Sequence, residues 1–199
     1  VWDGPGGSAR RKSQNKNYKE GRSPLRLNRA VQNLTTTQIA KNQIWQQTTL
    51  MDYLNHMPIN QIMIAGIEAD DVIGTLAKKA EQKGYKVYMM TSDKDFAQLV
   101  SENIFMYRPG NKWQPTQTWG IAEVLEKFNI KKVSQVIDFL AMMGDASDNI
   151  PGISGVGKKT AQKFIAEFGS IEGLFANTKK IKGKIQEKVI ASKDIGTVS

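Results

Sequence analysis

The sequence predicts an α/β protein: a mainly parallel sheet flanked by helices, then a helical region built around a glycine-rich hairpin. Three observations carry that reading. Short apolar runs alternate with stretches of helical periodicity through most of the chain. Acidic residues stand at or just beyond the ends of those runs, where an open parallel sheet gathers its ligands. Near Gly144 the texture changes to helical segments broken by glycines.

Taken in order, Val1-Trp2-Asp3-Gly4 reads as the end of a strand whose beginning is missing, as in a piece of a longer protein. Residues 4–33 lack apolar periodicity and read as a mobile basic segment carrying Arg10, Arg11, Lys12, Lys16, Lys19, Arg22, Arg26 and Arg29. Thr35 to Thr37 with Gln38 form a capping signal, and a helix follows through Ile39, Trp45, Leu50 and Leu54 until Pro58. Gln61 to Ala65 reads as a short buried strand. Glu68 to Lys83 reads as a helix with Val72, Ile73, Leu76 and Ala80 inward, closed by Gly84. Strands are expected at Lys86–Met90 and Ile104–Tyr107, a short helix at Asp95–Val100, a turn at Pro109-Gly110-Asn111, and helices at Ile121–Phe128 and Val133–Met143. Domains of residues 1–143 and 144–199 are expected from the change of texture.

Composition narrows the chemistry. The 199 residues include no cysteine, so disulfides and thiolate metal sites are excluded. No apolar run reaches the roughly 18–20 residues that cross a bilayer. The net charge of +9 is unevenly spread, with basic flanks around an acidic middle. That layout suits a polyanion gripped at both ends with a cation between. The bland alternative is a generally basic surface.

The acids are Asp3, then Glu68, Asp70 and Asp71, then Asp93 and Asp95, with Asp145 and Asp148 joining only if the chain returns to the sheet. Bare carboxylates brought together repel, so a divalent cation is their natural partner. Oxygen-only donors favour Mg²⁺ or Mn²⁺ over zinc, and two such ions can activate water and stabilise the leaving oxygen of a phosphodiester. Asp93 and Asp95 can equally be read as caps of the short helix that follows them. In the hairpin, Gly152, Gly155 and Gly157 permit tight turns, and the start of the next helix offers backbone N–H groups beside Lys158 and Lys159. This is a helix-hairpin-helix signature that grips duplex phosphate without reading bases. The P-loop spacing is absent, and with no strand before it a Rossmann loop is excluded. His56 reads as a surface or capping residue, the methionines, Met142 and Met143 among them, as core filler, and Trp113 and Trp119 as packing residues.

Four stretches together resemble one family: Asp3-Gly4, Gly66-Ile67-Glu68-Ala69-Asp70-Asp71, Thr91-Ser92-Asp93-Lys94-Asp95, and Met143-Gly144-Asp145-Ala146-Ser147-Asp148-Asn149 running into the hairpin. They are similar to the 5′ nuclease domain of bacterial DNA polymerase I and its stand-alone bacterial and phage relatives, the 5′-3′ exonuclease and flap endonuclease family. The resemblance implies a PIN-like sheet with two metal ions. Asp3, Glu68, Asp70 and Asp71 would surround the first, with Asp93, Asp95, Asp145 and Asp148 at the second or between the two. It implies that Lys19 and Arg22 work at the scissile phosphate with Asp70 and Asp93, and that Tyr18 stacks on a nucleobase at the base of an arch spanning residues 8–33. It further implies that Arg10, Arg11, Lys12, Gly155, Val156, Gly157, Lys158 and Lys159 contact DNA, with K⁺ on the hairpin carbonyls. The expected substrate is DNA with a 5′ flap, nick or single-strand/double-strand junction, cut during replication and repair by a monomer in the cytoplasm of a bacterial or phage-infected cell. The family pattern begins with an earlier strand bearing a further metal-binding Asp, so the chain as it stands is expected to be inactive. Two alternatives stay open: a non-catalytic DNA-binding module, and a PIN-type ribonuclease, against which the hairpin argues.

Overall fold

The computed structural model describes residues 1–21 and 34–193. After a short helix α1 (Ala9–Gln14) comes α2 (Thr36–Asn55), opened by the expected capping box, in which the Thr35 hydroxyl accepts from the Gln38 amide and the Gln38 side chain accepts from the Thr35 amide. Helix α3 (Ala69–Gln82) leads through Lys83 and Gly84 (φ +82°) into β1 (Val87–Met90). A 3₁₀ turn (Lys94–Leu99) returns the chain to β2 (Ile104–Arg108), which pairs parallel with β1 from Val87–Ile104 to Met90–Tyr107. Strand β3 (Gln117–Trp119) lies antiparallel to β2. The sheet is therefore mixed, because the short link from Arg108 to Gln117 is a hairpin and cannot make a parallel crossover.

Helices α4 (Ile121–Phe128) and α5 (Gln135–Met143) follow, then two-residue strands β4 (Gly144–Asp145) and β5 (Ile150–Pro151), and helices α6 (Lys158–Phe168), α7 (Ile171–Ala176) and α8 (Lys184–Ala191). A strand does precede the hairpin after all, but it pairs only with β4 beside it, so no βαβ unit results. One continuous core runs from Ala77, Met89, Ile104 and Met106 through Val124, Val136, Phe139 and Met142 to Phe164, Leu174 and Val189. The sheet and the helical hairpin thus share their packing, with Phe128 edge-on to Phe139 at 5.2 Å.

Several expectations fail for identifiable reasons. Gln61–Ala65 does not form a buried strand: Met63 makes one parallel bridge, to Trp2, and Met63 and Ile64 are exposed. Successive ladder bonds are missing because Gly4 and Gly66 instead bond Ile67 and Pro5 across a tight crossing, where a Cβ on Gly4 would lie 1.7 Å from the Ile64 carbonyl oxygen. Within the described part of the segment expected to be mobile, residues 4–21, α1 and its turns are tied to two other parts of the chain; residues 22–33, Arg26 and Arg29 among them, lie outside the described residues. On α3 the inward face is Val72, Ile73 and Ala77, leaving Leu76 exposed. Met89, Met106 and Met142 fill the core, but Met57, Met63, Met90 and Met143 lie on the surface. Trp119 is buried as expected, whereas Trp113 is 83% exposed at the tip of a turn fixed by Asn111 Oδ1, which accepts from the Trp113 and Gln114 amides.

Candidate metal and nucleic-acid site

The site is built where three loops meet: the start of α3, the turn after β1, and the β4–β5 hairpin. Asp3 Oδ1 accepts from the Ala69 amide at 2.7 Å, so this carboxylate caps α3 from a distant part of the chain. Glu68, the residue just before α3, is only 3% exposed. Its carboxylate is bound by the Arg11 guanidinium, by Lys19 Nζ at 2.8 Å and by the Tyr18 hydroxyl at 3.2 Å. Burial alone would raise the Glu68 carboxyl, but the Lys19 hydrogen bond and charge, then Arg11 and Tyr18, outweigh it and hold it below the ordinary range. Arg11 also reaches Asp71 at 3.1 Å.

Asp70 and Asp95 behave oppositely. Burial raises the Asp70 carboxyl, and the charges of Asp93, Asp3 and Glu68 raise it further against a lowering by Lys19. Burial likewise raises Asp95, helped by Asp93, Asp145 and Asp148 and opposed by Lys94. Asp93 therefore stands between two acidic groups, one from the α3 start and one from the β4–β5 hairpin. It also caps the 3₁₀ turn, Oδ1 accepting from the Asp95 amide at 3.0 Å. Asp145 is lowered despite its burial, because it accepts from the Ser147 hydroxyl and amide at 2.5 and 2.8 Å and pairs with Lys94 at 3.2 Å.

Oxygen-only donors and mutual repulsion at Asp70 and Asp95 fit a hard divalent cation. Among the described residues, however, no three of these carboxylates gather as a ready cage. Arg11, Lys19 and Lys94 hold Glu68, Asp71 and Asp145 instead, so protein cations neutralise part of the cluster.

The expected DNA-contact residues divide. Tyr18 does not present a face for stacking: it is 5% exposed, with Lys19 Nζ 5.0 Å and Arg11 Cζ 5.9 Å from its ring. Burial against two cations and Glu68 explains why. Arg10 and Lys12 lie on α1, with Arg10 exposed and Lys12 exposed, while Arg11 turns toward the acids. Arg22 lies outside the described residues. In the hairpin, Gly155 (φ +79°), Gly157, Lys158 and Lys159 are exposed, but Val156 is buried in the core. His56, as expected, is an exposed C-cap, of α2.

Sequence reasoning missed three residues. Lys94, between two aspartates in sequence, pairs instead with the distant Asp145. Arg108 stacks on Trp119 at 4.1 Å and donates to the Ser92 carbonyl at 3.3 Å, steadying the loop that carries Asp93. Asn149 bonds the 15–20 segment from the opposite end of the chain. An asparagine between Asp148 and Ile150 was the available signal, since asparagine tolerates the left-handed backbone found there.

A mixed sheet joined to a helical hairpin, with acids at the loop ends, defines an α/β class that comparison with known proteins specifies. Residues 1–129 match the 5′-3′ exonuclease N-terminal resolvase-like domain, and residues 131–199 match the 5′-3′ exonuclease C-terminal SAM fold. The chain belongs to the 5′-3′ exonuclease family. It is 39% identical to the thermostable DNA polymerase I of Thermus aquaticus over 75% of its own length but only 17% of that protein. It is 43% identical to a 5′-3′ exonuclease of Buchnera aphidicola over 70% of this chain and 47% of that one. In fold it resembles the bacteriophage T5 D15 protein co-crystallised with metal ions, with a TM-score of 0.77 and 22% identity over 98% of this chain and 69% of that one. The chain therefore spans less than half the length of the Thermus and Buchnera relatives.

Proposed function

We propose that this chain is the DNA-cutting part of a metal-dependent 5′-3′ exonuclease and flap endonuclease, acting on DNA with a 5′ flap, nick or single-strand/double-strand junction during replication and repair. The observation that carries the reading is the pair of acidic groups meeting at Asp93, with Asp70 and Asp95 both raised by burial and by neighbouring carboxylates. Acids raised by burial and by one another in one place are what a functional site for a cation produces. Similarity to a T5 5′-exonuclease with bound divalent metal ions supports it.

Asp3, Glu68, Asp70 and Asp71 would hold one Mg²⁺ or Mn²⁺, and Asp93, Asp95, Asp145 and Asp148 a second. When bound, the ions would activate water and stabilise the leaving oxygen. Lys19 and Arg22 neutralise charge on the scissile phosphate, the role for which Lys19 is already at the acid cluster. Lys158 and Lys159, with the first-turn amides of α6, take duplex phosphates. The carbonyls of the Gly152–Gly157 turn are the proposed seat of K⁺. Residues 1–143 serve as the cutting unit and 144–199 as the duplex grip, in a monomer.

The test is a labelled 5′-flap duplex with and without Mg²⁺, incubated with the chain carrying at its N-terminus the strand and Asp with which the family pattern begins. Metal-dependent release of a 5′ fragment, abolished by Asp93→Asn, is the expected result. A second reading has its own support: Glu68 is held by two protein cations, which suits a module that binds flap DNA without cutting it. Tight binding with no metal-dependent cleavage would favour that reading.

A further inference from the structure

Asn149 ties two distant parts of the site together. Its Nδ2 donates to the carbonyls of Asn17 at 2.9 Å and Glu20 at 2.8 Å, using both N–H groups of one amide. Its own carbonyl accepts from Asn15 Nδ2 at 3.0 Å, and the adjoining Asp148 carbonyl accepts from the Lys19 amide at 3.1 Å. The two clamped carbonyls bracket Lys19, whose backbone is left-handed at φ +56°, a conformation that a lysine adopts only when its surroundings hold it. Asn149 itself sits at φ +55°. From this clamped backbone the Lys19 ammonium reaches Glu68 Oε1 at 2.8 Å.

We propose that Asn149 is a positioning residue: by gripping the backbone on either side of Lys19, it fixes where that ammonium stands in the acid cluster and hence against the phosphate. The inference rests on the role given to Lys19 above. The residue type follows from the bonds. Aspartate has the same shape but no donors, so it would set one carboxylate oxygen, in the place of Nδ2, against two carbonyls. Alanine loses the clamp, and glycine loses it while keeping the backbone free to stay left-handed. Asn149 also lies one residue before β5, so the hairpin that grips duplex DNA and the lysine at the acids share one rigid connection.

The test is a double-mutant cycle read by flap-duplex affinity in EDTA, where no cutting occurs. Lys19→Ala is expected to weaken binding about tenfold, the low end for one lost charge-assisted contact. Asn149→Asp and Asn149→Gly are each expected to weaken it by a comparable factor, with no further loss when combined with Lys19→Ala. Hydrogen exchange at the amides of residues 17–20 should speed up in both Asn149 variants, and Asn149→Gly provides the reading if the aspartate variant does not fold. Losses that multiply in the double variants overturn the proposal, because Asn149 would then act independently of Lys19. Lys19→Ala binding as tightly as the unaltered chain is a separate failure: it removes the phosphate role of Lys19 itself, and the proposal with it.

Discussion

Glu68→Gln tests the electrostatics of the site through stability alone. The wild-type carboxylate is 3% exposed and is shared by Arg11, Lys19 and the Tyr18 hydroxyl. Glutamine keeps the shape but removes the charge, and its amide nitrogen would face a guanidinium or an ammonium, donor against donor. Losing one partner of a fully buried ion pair costs about 3–5 kcal/mol. Here the Arg11 and Lys19 side chains are 36% and 21% exposed and can turn toward water, which places the loss nearer about 2–3 kcal/mol. For a chain of this size that is a fall in Tm of about 5–10 °C. Thermal unfolding in EDTA followed by circular dichroism measures it, with Asp71→Asn as the exposed control, expected to cost under about 0.5 kcal/mol. The sign with pH is fixed by the lowered Glu68 carboxyl. Its stabilisation is present above the ordinary glutamate pKa of 4.5 and is lost as pH falls below that through the depressed folded value. The mutant should therefore converge on wild type in acid. Equal Tm values at neutral pH would refute the reasoning.

Three further outcomes follow from the same geometry. Asp70→Asn should stabilise the metal-free chain slightly at neutral pH, by under about 0.5 kcal/mol because Asp70 is exposed and its repulsions are screened; the gain in urea midpoint should vanish below its unfolded pKa. Gly144→Ala should lose about 2–4 kcal/mol in urea unfolding, since at φ +67° its Cβ would meet the Gly152 nitrogen at 2.2 Å and the Ile150 oxygen at 2.5 Å. Lys158→Ala with Lys159→Ala should weaken duplex binding without sequence preference and flatten the slope of log affinity against log salt by about 2.

Much of this architecture was legible because local chemistry decided it. The Thr35–Gln38 capping box, the glycine-closed end of α3, and the bounds of α4 need only a few neighbouring residues to be predicted. The acids were legible as a set because they recur at the ends of elements. What they do to one another was not, since Asp3 capping α3 and Lys94 meeting Asp145 are contacts across the fold that no spacing encodes. Tyr18 shows the same limit. The family resemblance implies that Tyr18 stacks on a nucleobase, and only the fold reveals that Glu68, Arg11 and Lys19 enclose it. The Gln61–Ala65 run failed differently, for apolar character alone does not supply the partner strand that a ladder requires.

The central claim is that the carboxylates meeting at Asp93 take a divalent cation. Calorimetric titration of Mn²⁺ into the unaltered chain, Asp93→Asn and Asp138→Asn addresses it most directly. Asp138 is also raised by burial, but its Oδ1 accepts from the Ile171 amide at 2.9 Å in the helical region, making it a control. The unaltered chain and Asp138→Asn should bind alike, with Asp93→Asn weaker by about tenfold or more. Three indistinguishable titrations would contradict the account.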